Sequence, residues 1–286
     1  MKKRLAVILA MAMGLSLAAC GGSTASTAST ATESKAAEST AEESKAAEST
    51  AAESTIEAGV SSGVDDGSGV EFGDVMTYEE FAAADTDTVV TVETYVQAKQ
   101  SWWDNAATIY TQSEDGAYFL YAMACSEEEY GKLTVGTKIK VAGYKAEWAG
   151  EVEITEAIFE IEEGEFIAEP KDVTEYLGTE ELASYMNQYV SFTGMTVEAA
   201  GKDDAGNDVA YLYNWDGSGQ DGDDLYFSVS KDGKTYSFTV ESYLTGTGTE
   251  VYEAVKALEI GQTVDLSGFL YWYEGANPHI TSVTVK

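Results

Sequence analysis

The sequence predicts a mainly β protein in which two related modules follow a low-complexity N-terminal region. The strongest observation is a repeat, because residues 133–148 read LTVGTKIKVAGYKAEW and residues 258–273 read LEIGQTVDLSGFLYWY. At a constant offset of 125 residues, Gly143 matches Gly268. Each copy places apolar residues at every second position after a glycine turn, which is the period of a half-buried strand. The 286 residues are enough for two small domains with extensions.

The first 20 residues, MKKRLAVILAMAMGLSLAAC, combine three features of an export signal. Residues 2–4 are basic, residues 5–19 are mostly apolar but too few to span a bilayer comfortably, and small residues precede Cys20. Residues 1–19 resemble a bacterial lipoprotein signal peptide with its lipobox. The resemblance implies cleavage before Cys20, acylation of that cysteine, and a lipid anchor on the extracytoplasmic side of the cell membrane. The alternative is an ordinary secretory signal peptide followed by a chance cysteine.

Residues 20–70 are predicted to form a disordered stalk. They consist mainly of Ser, Thr, Ala, Glu and Gly, and the stretch ESKAAESTAE (33–42) recurs as ESKAAESTAA (43–52). So few large apolar side chains bury too little surface to offset the entropy of ordering the chain. We therefore expect this segment to hold the folded modules away from the membrane.

The first module is predicted to span residues 71–165, with two short helices and five strands. Thr77 with Glu80, and Ser126 with Glu129, have the spacing of a capping box, which indicates the start of a helix. Alternating apolar residues and the repeated stretch indicate the strands. The predicted elements are a helix at 77–84, strand one at 90–96, strands two and three at 107–112 and 117–122, a helix at 126–133, strand four at 133–148 and strand five at 152–161.

The second module is predicted to span residues 171–286, after a linker at 164–171 that contains Pro170. Strand one matches the first module at an offset of about 100 residues and strand four at 125, so roughly 25 extra residues enter between them. We expect these residues to form an added hairpin with its loops. The predicted elements are a helix at 179–186, strand one at 190–196, strands two and three at 210–213 and 225–229, the added hairpin at 236–240, a helix at 250–258, strand four at 258–273 and strand five near 280.

The order of three strands, a helix and two strands resembles the oligonucleotide/oligosaccharide-binding (OB) fold, a five-stranded barrel with a helix between strands three and four. The resemblance implies two tandem OB-like barrels after the disordered stalk. More loosely, the whole chain resembles tandem-domain surface lipoproteins of bacteria that have no assigned role. Another small antiparallel barrel or sandwich is the alternative for each module.

Aromatic residues fall in loops that border the usual ligand-binding face of this fold. In the first module, two adjacent tryptophans follow strand one and another ends strand four, and we expect these loops to meet at one end of the barrel. Rings beside carboxylates suit sugars, whose C–H faces pack on them, and also suit cationic ligands. The alternative is that the tryptophans close the barrel as core. The candidate ligand contacts are Trp102, Trp103, Trp148, Tyr271, Trp272 and Tyr273.

The acidic run NWDGSGQDGDD (214–224) has oxygen-bearing residues at alternate positions, followed by a glycine. That spacing resembles the first half of a calcium loop, although Leu225 stands where a bidentate glutamate belongs. An unoccupied, solvated acidic turn is the alternative. Calcium is the one cofactor that the sequence suggests. The candidate ligands are Asn214, Asp216, Ser218, Asp221 and Asp223.

The composition argues against several classes of function. The chain has 50 acidic and 16 basic residues, so its net charge of −34 disfavours nucleic acid as a partner. Its one histidine, His279, with no free cysteine in an active setting, indicates no catalytic triad, and a two-histidine metal site is excluded. Cys125 follows an apolar run and is expected to be a core residue. So many acids leave a carboxylate-pair glycosidase open, but they identify no catalytic pair.

The sequence therefore predicts a membrane-tethered, non-enzymatic binding module for a small molecule, glycan or peptide. The alternative is a scaffold or accessory subunit that docks another envelope protein through an exposed sheet face. An exposed aromatic groove would favour the first function, and a flat apolar patch would favour the second.

Overall fold

A computed structural model of the chain describes residues 69–203 and 205–286. Cys20, the signal peptide predicted at 1–19 and nearly all of the stalk predicted at 20–70 lie outside the described residues. Within the described ranges, no helix is both long enough and apolar enough to cross a membrane. These residues form a mainly β structure of two closed five-stranded barrels that belong to one compact unit.

The first barrel closes in the strand order one, two, three, five, four. Its strands are β1 (Val89–Lys99), β2 (Ala106–Gln112), β3 (Ala117–Ala124), β4 (Thr137–Trp148) and β5 (Glu151–Glu165). Helix α1 (Tyr78–Ala83) precedes the barrel, and helix α2 (Glu127–Lys132) lies between strands three and four. Both helices begin at complete capping boxes, as predicted.

Apolar residues at alternate positions of β1 supply part of the core of this barrel. Val90, Val92 and Val96 are fully buried, and they share one cluster with Leu120 and Ile139 from strands three and four. Burying such a side chain contributes about 1.5–3 kcal/mol, so the cluster opposes the entropy lost on ordering the strands. A parallel pairing of β3 with β5 completes the ring.

The second barrel has the same five strands in the same order, with additions. The barrel strands are β7 (Tyr189–Glu198), β11 (Leu225–Lys231), β12 (Lys234–Val240), β13 (Thr263–Phe269) and β14 (His279–Val285). The added short strands are β6 (Lys171–Asp172), β8 (Gly201–Lys202), β9 (Asp208–Val209) and β10 (Tyr211–Tyr213). The helices α3 (Ser242–Thr245) and α4 (Glu250–Lys256) lie between strands three and four. Pairing of β11 with β7 closes the ring.

The prediction of strands two and three in the second module is wrong. The segment at 210–213 pairs only as an outer edge of β11, whereas β11 and β12 are strands two and three. The register shows this directly, because Val229 of β11 pairs with Val197 of β7 on one side and Tyr236 of β12 on the other. The extra residues therefore lie between strands one and two, at 199–224, and the hairpin at 236–240 belongs to the barrel.

The helix predicted at 179–186 is a 3₁₀ helix over Glu180–Tyr185, preceded by a shorter one at Thr174–Tyr176. Thr179 Oγ1 donates to the carbonyl of Tyr176 at 2.8 Å and caps no N–H of the following turn. A helix start without this cap leaves its first amides without side-chain partners, which weakens an α-helical first turn.

The predicted equivalence of the repeated strands is confirmed. Gly143 of β4 pairs with Val90 of β1, and Gly268 of β13 pairs with Val190 of β7. The neighbouring fifth strand passes close to both glycines, because an added Cβ would lie 2.6 Å from Ile154 Cγ2 at the first and 2.1 Å from a backbone oxygen at the second. Only glycine fits where the strands approach this closely.

The predicted linker is bound to the first barrel. Gln97 of β1 is buried, and both the nitrogen and the oxygen of its side-chain amide bond to backbone groups of this segment. Its Nε2 donates to the carbonyl of Phe166 at 3.1 Å, and its Oε1 accepts the N–H of Ala168 at 2.9 Å. These bonds fix the direction in which the chain leaves β5 toward the second barrel.

Candidate functional site

The second barrel has an open groove on the outer face of its strands two and three. Along β11, Phe227 and Val229 are buried in the core, so the alternate residues Tyr226 and Ser228 face outward. Ser237 of β12 pairs directly with Ser228 and lines the same groove. The floor of the groove therefore carries one tyrosine and two serines.

Two loops form the walls of this groove, which has a volume of about 260 Å³. The insertion between β7 and β11 supplies one wall, and the turn between β13 and β14 supplies the other. The wall residues are Ala200, Leu212, Trp215, Tyr273, Ala276 and Asn277. Trp215 is 75% exposed and Tyr273 is 48% exposed, so both rings are accessible to a ligand.

The first part of the acidic run positions Trp215. Asn214 has a left-handed backbone with φ 59°, and its carbonyl accepts the N–H of Gly217 at 3.3 Å. Asp216 Oδ1 accepts the N–H of Ser218 at 3.0 Å, which is the local turn that aspartate favours. Hydrogen bonding from Ser218 lowers the pKa of Asp216. The alternating oxygens thus fold the loop on itself and place Trp215 at the groove.

The remaining candidate calcium ligands bond to other neighbours. Asp221 accepts from Lys256 Nζ at 2.7 Å and from the Tyr213 hydroxyl at 3.2 Å, and the lysine lowers the pKa of Asp221. Asp223 Oδ2 accepts the N–H of Gln220 at 2.8 Å. Among the described residues, no three Asp, Glu, His or Cys side chains are gathered for a metal ion. Asp221 and Asp223 thus both have protein partners, and calcium binding by this run stays a prediction.

The first barrel contributes one ring beside the groove. Trp148 at the end of β4 is 55% exposed, and its ring centroid lies 5.2 Å from that of Tyr273, with the planes 39° apart. The adjacent turn is tied to the first barrel, because the N–H of Glu274 donates to the carbonyl of Ala149 at 2.7 Å. Trp148, Tyr273 and Trp215 therefore border one surface that extends across both barrels.

The other predicted contacts of the first barrel lie elsewhere. Trp102 and Trp103 follow the carboxyl end of β1, whereas Trp148 lies beyond its amino end, because β4 runs antiparallel to β1. The expectation that their loops meet at one end of the barrel is wrong. Trp103 is 79% exposed, and Trp102 Nε1 donates to the carbonyl of Cys125 at 2.8 Å.

Tyr271 and Trp272 belong to the contact between the barrels. The ring of Tyr271 contacts the edge of Phe119 of the first barrel, with centroids 5.4 Å apart. The N–H of Trp272 donates to Glu151 Oε2 of the first barrel at 2.8 Å. Of the three adjacent aromatics, only Tyr273 lines the groove.

The equivalent face of the first barrel is closed. Tyr110 of β2 and Phe119 of β3 are outside the core of their own barrel, yet they are buried against the second barrel. The ring of Tyr110 stacks on Phe269 with centroids 4.5 Å apart, and its hydroxyl lies 2.9 Å from Nδ1 of His279. The face that binds ligands in proteins of this fold is therefore an interface here.

Four ionisable groups with large pKa shifts lie in the core or interface. Burial raises the pKa of Glu151 to about 8 and that of Glu241 to about 7, and it lowers the pKa of His279 to about 3. Cys125 is a buried core residue, as predicted, and burial raises its pKa to about 12. Perturbed groups occur at catalytic sites and in structural networks alike. None of these four side chains lines the groove.

A second groove, with a volume of about 330 Å³, is lined by residues of both barrels and is mainly apolar. Val135 and Ile167 lie at this groove and are more than half exposed. Leu244 and Phe269 of the second barrel complete its apolar surface.

No family model and no curated protein matches the sequence. A p204 HINb domain aligns with a TM-score of 0.33 and 10% identity, covering 71% of this chain and 100% of that one. A murine DNA-binding protein bound to double-stranded DNA aligns with a TM-score of 0.32 and 9% identity, covering 68% and 94%. A replication protein A heterotrimer bound to single-stranded DNA has a TM-score of 0.32 and 10% identity, covering 74% and 52%.

The described residues form two tandem OB-like barrels. The strand order and the position of the helix between strands three and four establish this fold. The prediction that nucleic acid is an unlikely partner is contradicted, because the matching structures include proteins bound to DNA. The physical reason is that net charge governs long-range attraction, whereas local side chains decide what a groove holds.

Proposed function

We propose that this chain is a non-enzymatic binding module and that the groove on β11 and β12 is its ligand site. The observation that carries the proposal is the open groove bordered by the exposed rings of Trp215 and Tyr273. Proteins of this fold bind ligands on strands two and three, between the loops that follow strands one and four. Both of those loops are walls of the groove.

The chemistry of the lining supports binding rather than catalysis. Its polar groups are tyrosine and serine hydroxyls and the amide of Asn277. General acid–base catalysis uses a group that titrates near the working pH. The buried carboxyls whose pKa is raised, Glu151, Glu153 and Glu241, do not line the groove. We therefore assign neither a reaction nor a catalytic residue to this face.

Attachment to the extracytoplasmic side of the cell membrane through a lipid on Cys20 is part of the same proposal. The order of basic, apolar and small residues before Cys20 supports it. We expect mass spectrometry to find an acylated N-terminal Cys20, and Cys20→Ser to release the protein from the membrane fraction. A free thiol at Cys20, or an N-terminus elsewhere, would contradict the anchor without affecting the assignment of the groove.

A thermal-shift screen of the full-length protein tests the binding function. The probes are uncharged oligosaccharides, proline-rich peptides, oligothymidylate and calcium, because a ligand of the folded state raises the melting temperature. We expect a probe that stabilises wild type to lose its effect in Trp215→Ala. Trp103→Ala removes an equally exposed tryptophan outside the groove and should respond as wild type does. Equal stabilisation of all three proteins would refute this groove as the site.

The alternative function, a scaffold that docks another envelope protein, is favoured by the second groove. Its exposed apolar residues Val135 and Ile167 suit a protein partner. Ile167→Ser separates the two functions, because it alters this groove alone. If Ile167→Ser removes the thermal-shift response and Trp215→Ala retains it, the functional surface is the second groove.

A further inference from the structure

The groove on β11 and β12 is uncharged although the protein is strongly acidic. The chain carries 50 acidic and 16 basic residues, yet no charged side chain lines this groove within the described residues. Charged ligand groups bind most strongly where an opposite charge replaces their water. A lining of rings, hydroxyls and one amide instead suits a ligand that is polar and uncharged.

The polar groups of the groove can both donate and accept hydrogen bonds. Ser228 and Ser237 are directly opposite each other on neighbouring strands, where side chains lie about 5 Å apart. In the part of the chain that the structure describes, neither hydroxyl has a protein partner. Asn277 Oδ1 accepts from Thr239 Oγ1 at 2.8 Å, which orients the amide and leaves its Nδ2 protons for a ligand.

The aromatic rings extend beyond the groove itself. Trp215 and Tyr273 lie on its two opposite walls, and Tyr226 lies on the floor between them. Trp148 packs against Tyr273 and continues the aromatic surface onto the first barrel. The site therefore has room for a ligand longer than the groove, with successive rings as contacts.

We propose that this groove binds an uncharged, linear oligosaccharide, with sugar rings on Trp215 and Tyr273 and the chain continuing over Trp148. The inference rests on the proposed function, since it names the ligand class for the same site. Sugars have C–H faces that pack on aromatic rings, and hydroxyls at their edges that donate and accept. The serine pair and the Asn277 amide match those hydroxyls without requiring a charge.

Isothermal titration calorimetry of the full-length protein, in a detergent without a sugar headgroup, tests the ligand class. The probes are uncharged hexasaccharides of glucose, mannose, xylose and N-acetylglucosamine. The N-acetylglucosamine hexamer is paired with the glucosamine hexamer, which has the same backbone and carries positive charges. We expect at least one uncharged hexasaccharide to bind, with an affinity that changes little when salt is raised.

Three variants locate that binding. Trp215→Ala should weaken it about tenfold or more, the effect typical of losing one stacking ring. Trp148→Ala should weaken the hexasaccharide but not the corresponding disaccharide, because Trp148 lies beyond the groove. Trp103→Ala should leave both affinities unchanged. Unchanged melting temperatures of the free variants would show that each is folded.

Several results would overturn the inference, in distinguishable ways. If only the glucosamine hexamer binds, and high salt abolishes it, the interaction is attraction to the acidic surface. If oligoproline or oligothymidylate binds in a Trp215-dependent manner and no uncharged hexasaccharide does, the ligand class is wrong and the proposed binding site stands. If a hexasaccharide binds equally to wild type and Trp215→Ala, both the inference and the proposed site fail.

Discussion

The two barrels share one strand order but use the outer face of strands two and three in opposite ways. In the first barrel this face carries Tyr110 and Phe119 and is buried against the second barrel. In the second barrel it carries Tyr226, Ser228 and Ser237 and lines an open groove. The first barrel therefore uses this face to pack against the second barrel, whose own face stays open. The outward-facing side chains, rather than the strand order, decide how this face is used.

The loop after strand one also differs between the two barrels. In the first barrel it covers only residues 100–105 and contacts the second barrel, where the N–H of Ser101 donates to the carbonyl of Tyr243 at 2.8 Å. In the second barrel it covers residues 199–224 and carries Trp215 to the groove. The insertion thus builds a wall that has no counterpart in the first barrel.

The largest expected effect on stability comes from placing a charge in either core. Val141 of β4 and Leu266 of β13 are buried at equivalent positions in their barrels. An unpaired carboxylate at such a site is strongly unfavourable, so Val141→Asp and Leu266→Asp should each abolish stable folding. Because the interface joins the barrels, we expect circular dichroism to show that both barrels unfold in each variant. If the unchanged barrel still gave a melting transition, its folding would not depend on the other barrel.

The next effect compares a tyrosine on the closed face with a tyrosine on the open face. Tyr110→Ala removes a fully buried ring and should lower the free energy of unfolding by about 3–5 kcal/mol, measured in urea. Tyr110→Phe removes only the hydroxyl near His279 and should cost about 1–3 kcal/mol. Tyr226 lies at the open groove, so Tyr226→Ala should lower the free energy of unfolding by less than Tyr110→Ala does. Equal costs at the two tyrosines would refute the distinction between the faces.

Glu151 makes the closed face sensitive to pH. Its carboxyl is fully buried, and burial raises its pKa from 4.5 to about 8. Within the described residues, Glu151 Oε1 is a buried oxygen without a hydrogen-bond partner, so ionisation would place a poorly compensated charge in the interface. The folded protein then holds a proton that the unfolded chain releases. The stability from Glu151 is therefore full below about pH 4.5 and is lost as the pH rises to about 8.

Glu151→Gln tests this dependence, because glutamine has nearly the same shape and stays uncharged at every pH. We expect wild type to lose melting temperature between about pH 5 and pH 8 relative to the variant. Glu153, Tyr271 and His279 also titrate near this interface, but they are present in both proteins and cancel in the difference. A wild-type profile parallel to that of Glu151→Gln would show that the carboxyl is already ionised.

The smallest expected effect on stability is at the open groove. Trp215 is 75% exposed, so Trp215→Ala should change the free energy of unfolding by within about 0.5 kcal/mol. Chemical denaturation of the free protein measures this directly. A loss of several kcal/mol would show that Trp215 is a packed core residue, and the contrast with Tyr110 would then be wrong.

Features set by local sequence could be predicted. The two capping boxes at Thr77 and Ser126 form as expected, because each depends on residues three positions apart. The repeat also placed Gly143 and Gly268 at equivalent points of strand four, since alternation and a close approach leave a periodic pattern. Strands two and three of the second barrel were misassigned, because alternation identifies a strand but not the strand that pairs with it.

The candidate site could be predicted only in part. Tyr273 and Trp148 were candidates because aromatic residues at the end of strand four recur in both modules. Trp215 was missed, although a large aromatic residue in a long polar loop is itself a signal of an exposed contact. The closed face of the first barrel had a signal too. The run AYFLYAMA at 117–124 is apolar on both faces, which is typical of a strand covered on both sides.

Hydroxyl-radical footprinting of the full-length protein tests the difference between the faces most directly, because oxidation rates of aromatic side chains follow their solvent exposure. Trp215 and Tyr273 at the open groove should be oxidised rapidly, whereas Tyr110 and Phe119 at the closed face should be protected. A saturating ligand of the groove should then protect Trp215 and Tyr273 and leave Trp103 unchanged. Oxidation of Tyr110 and Phe119 at rates similar to Trp215 would contradict the account, because it would show that both barrels expose the same face.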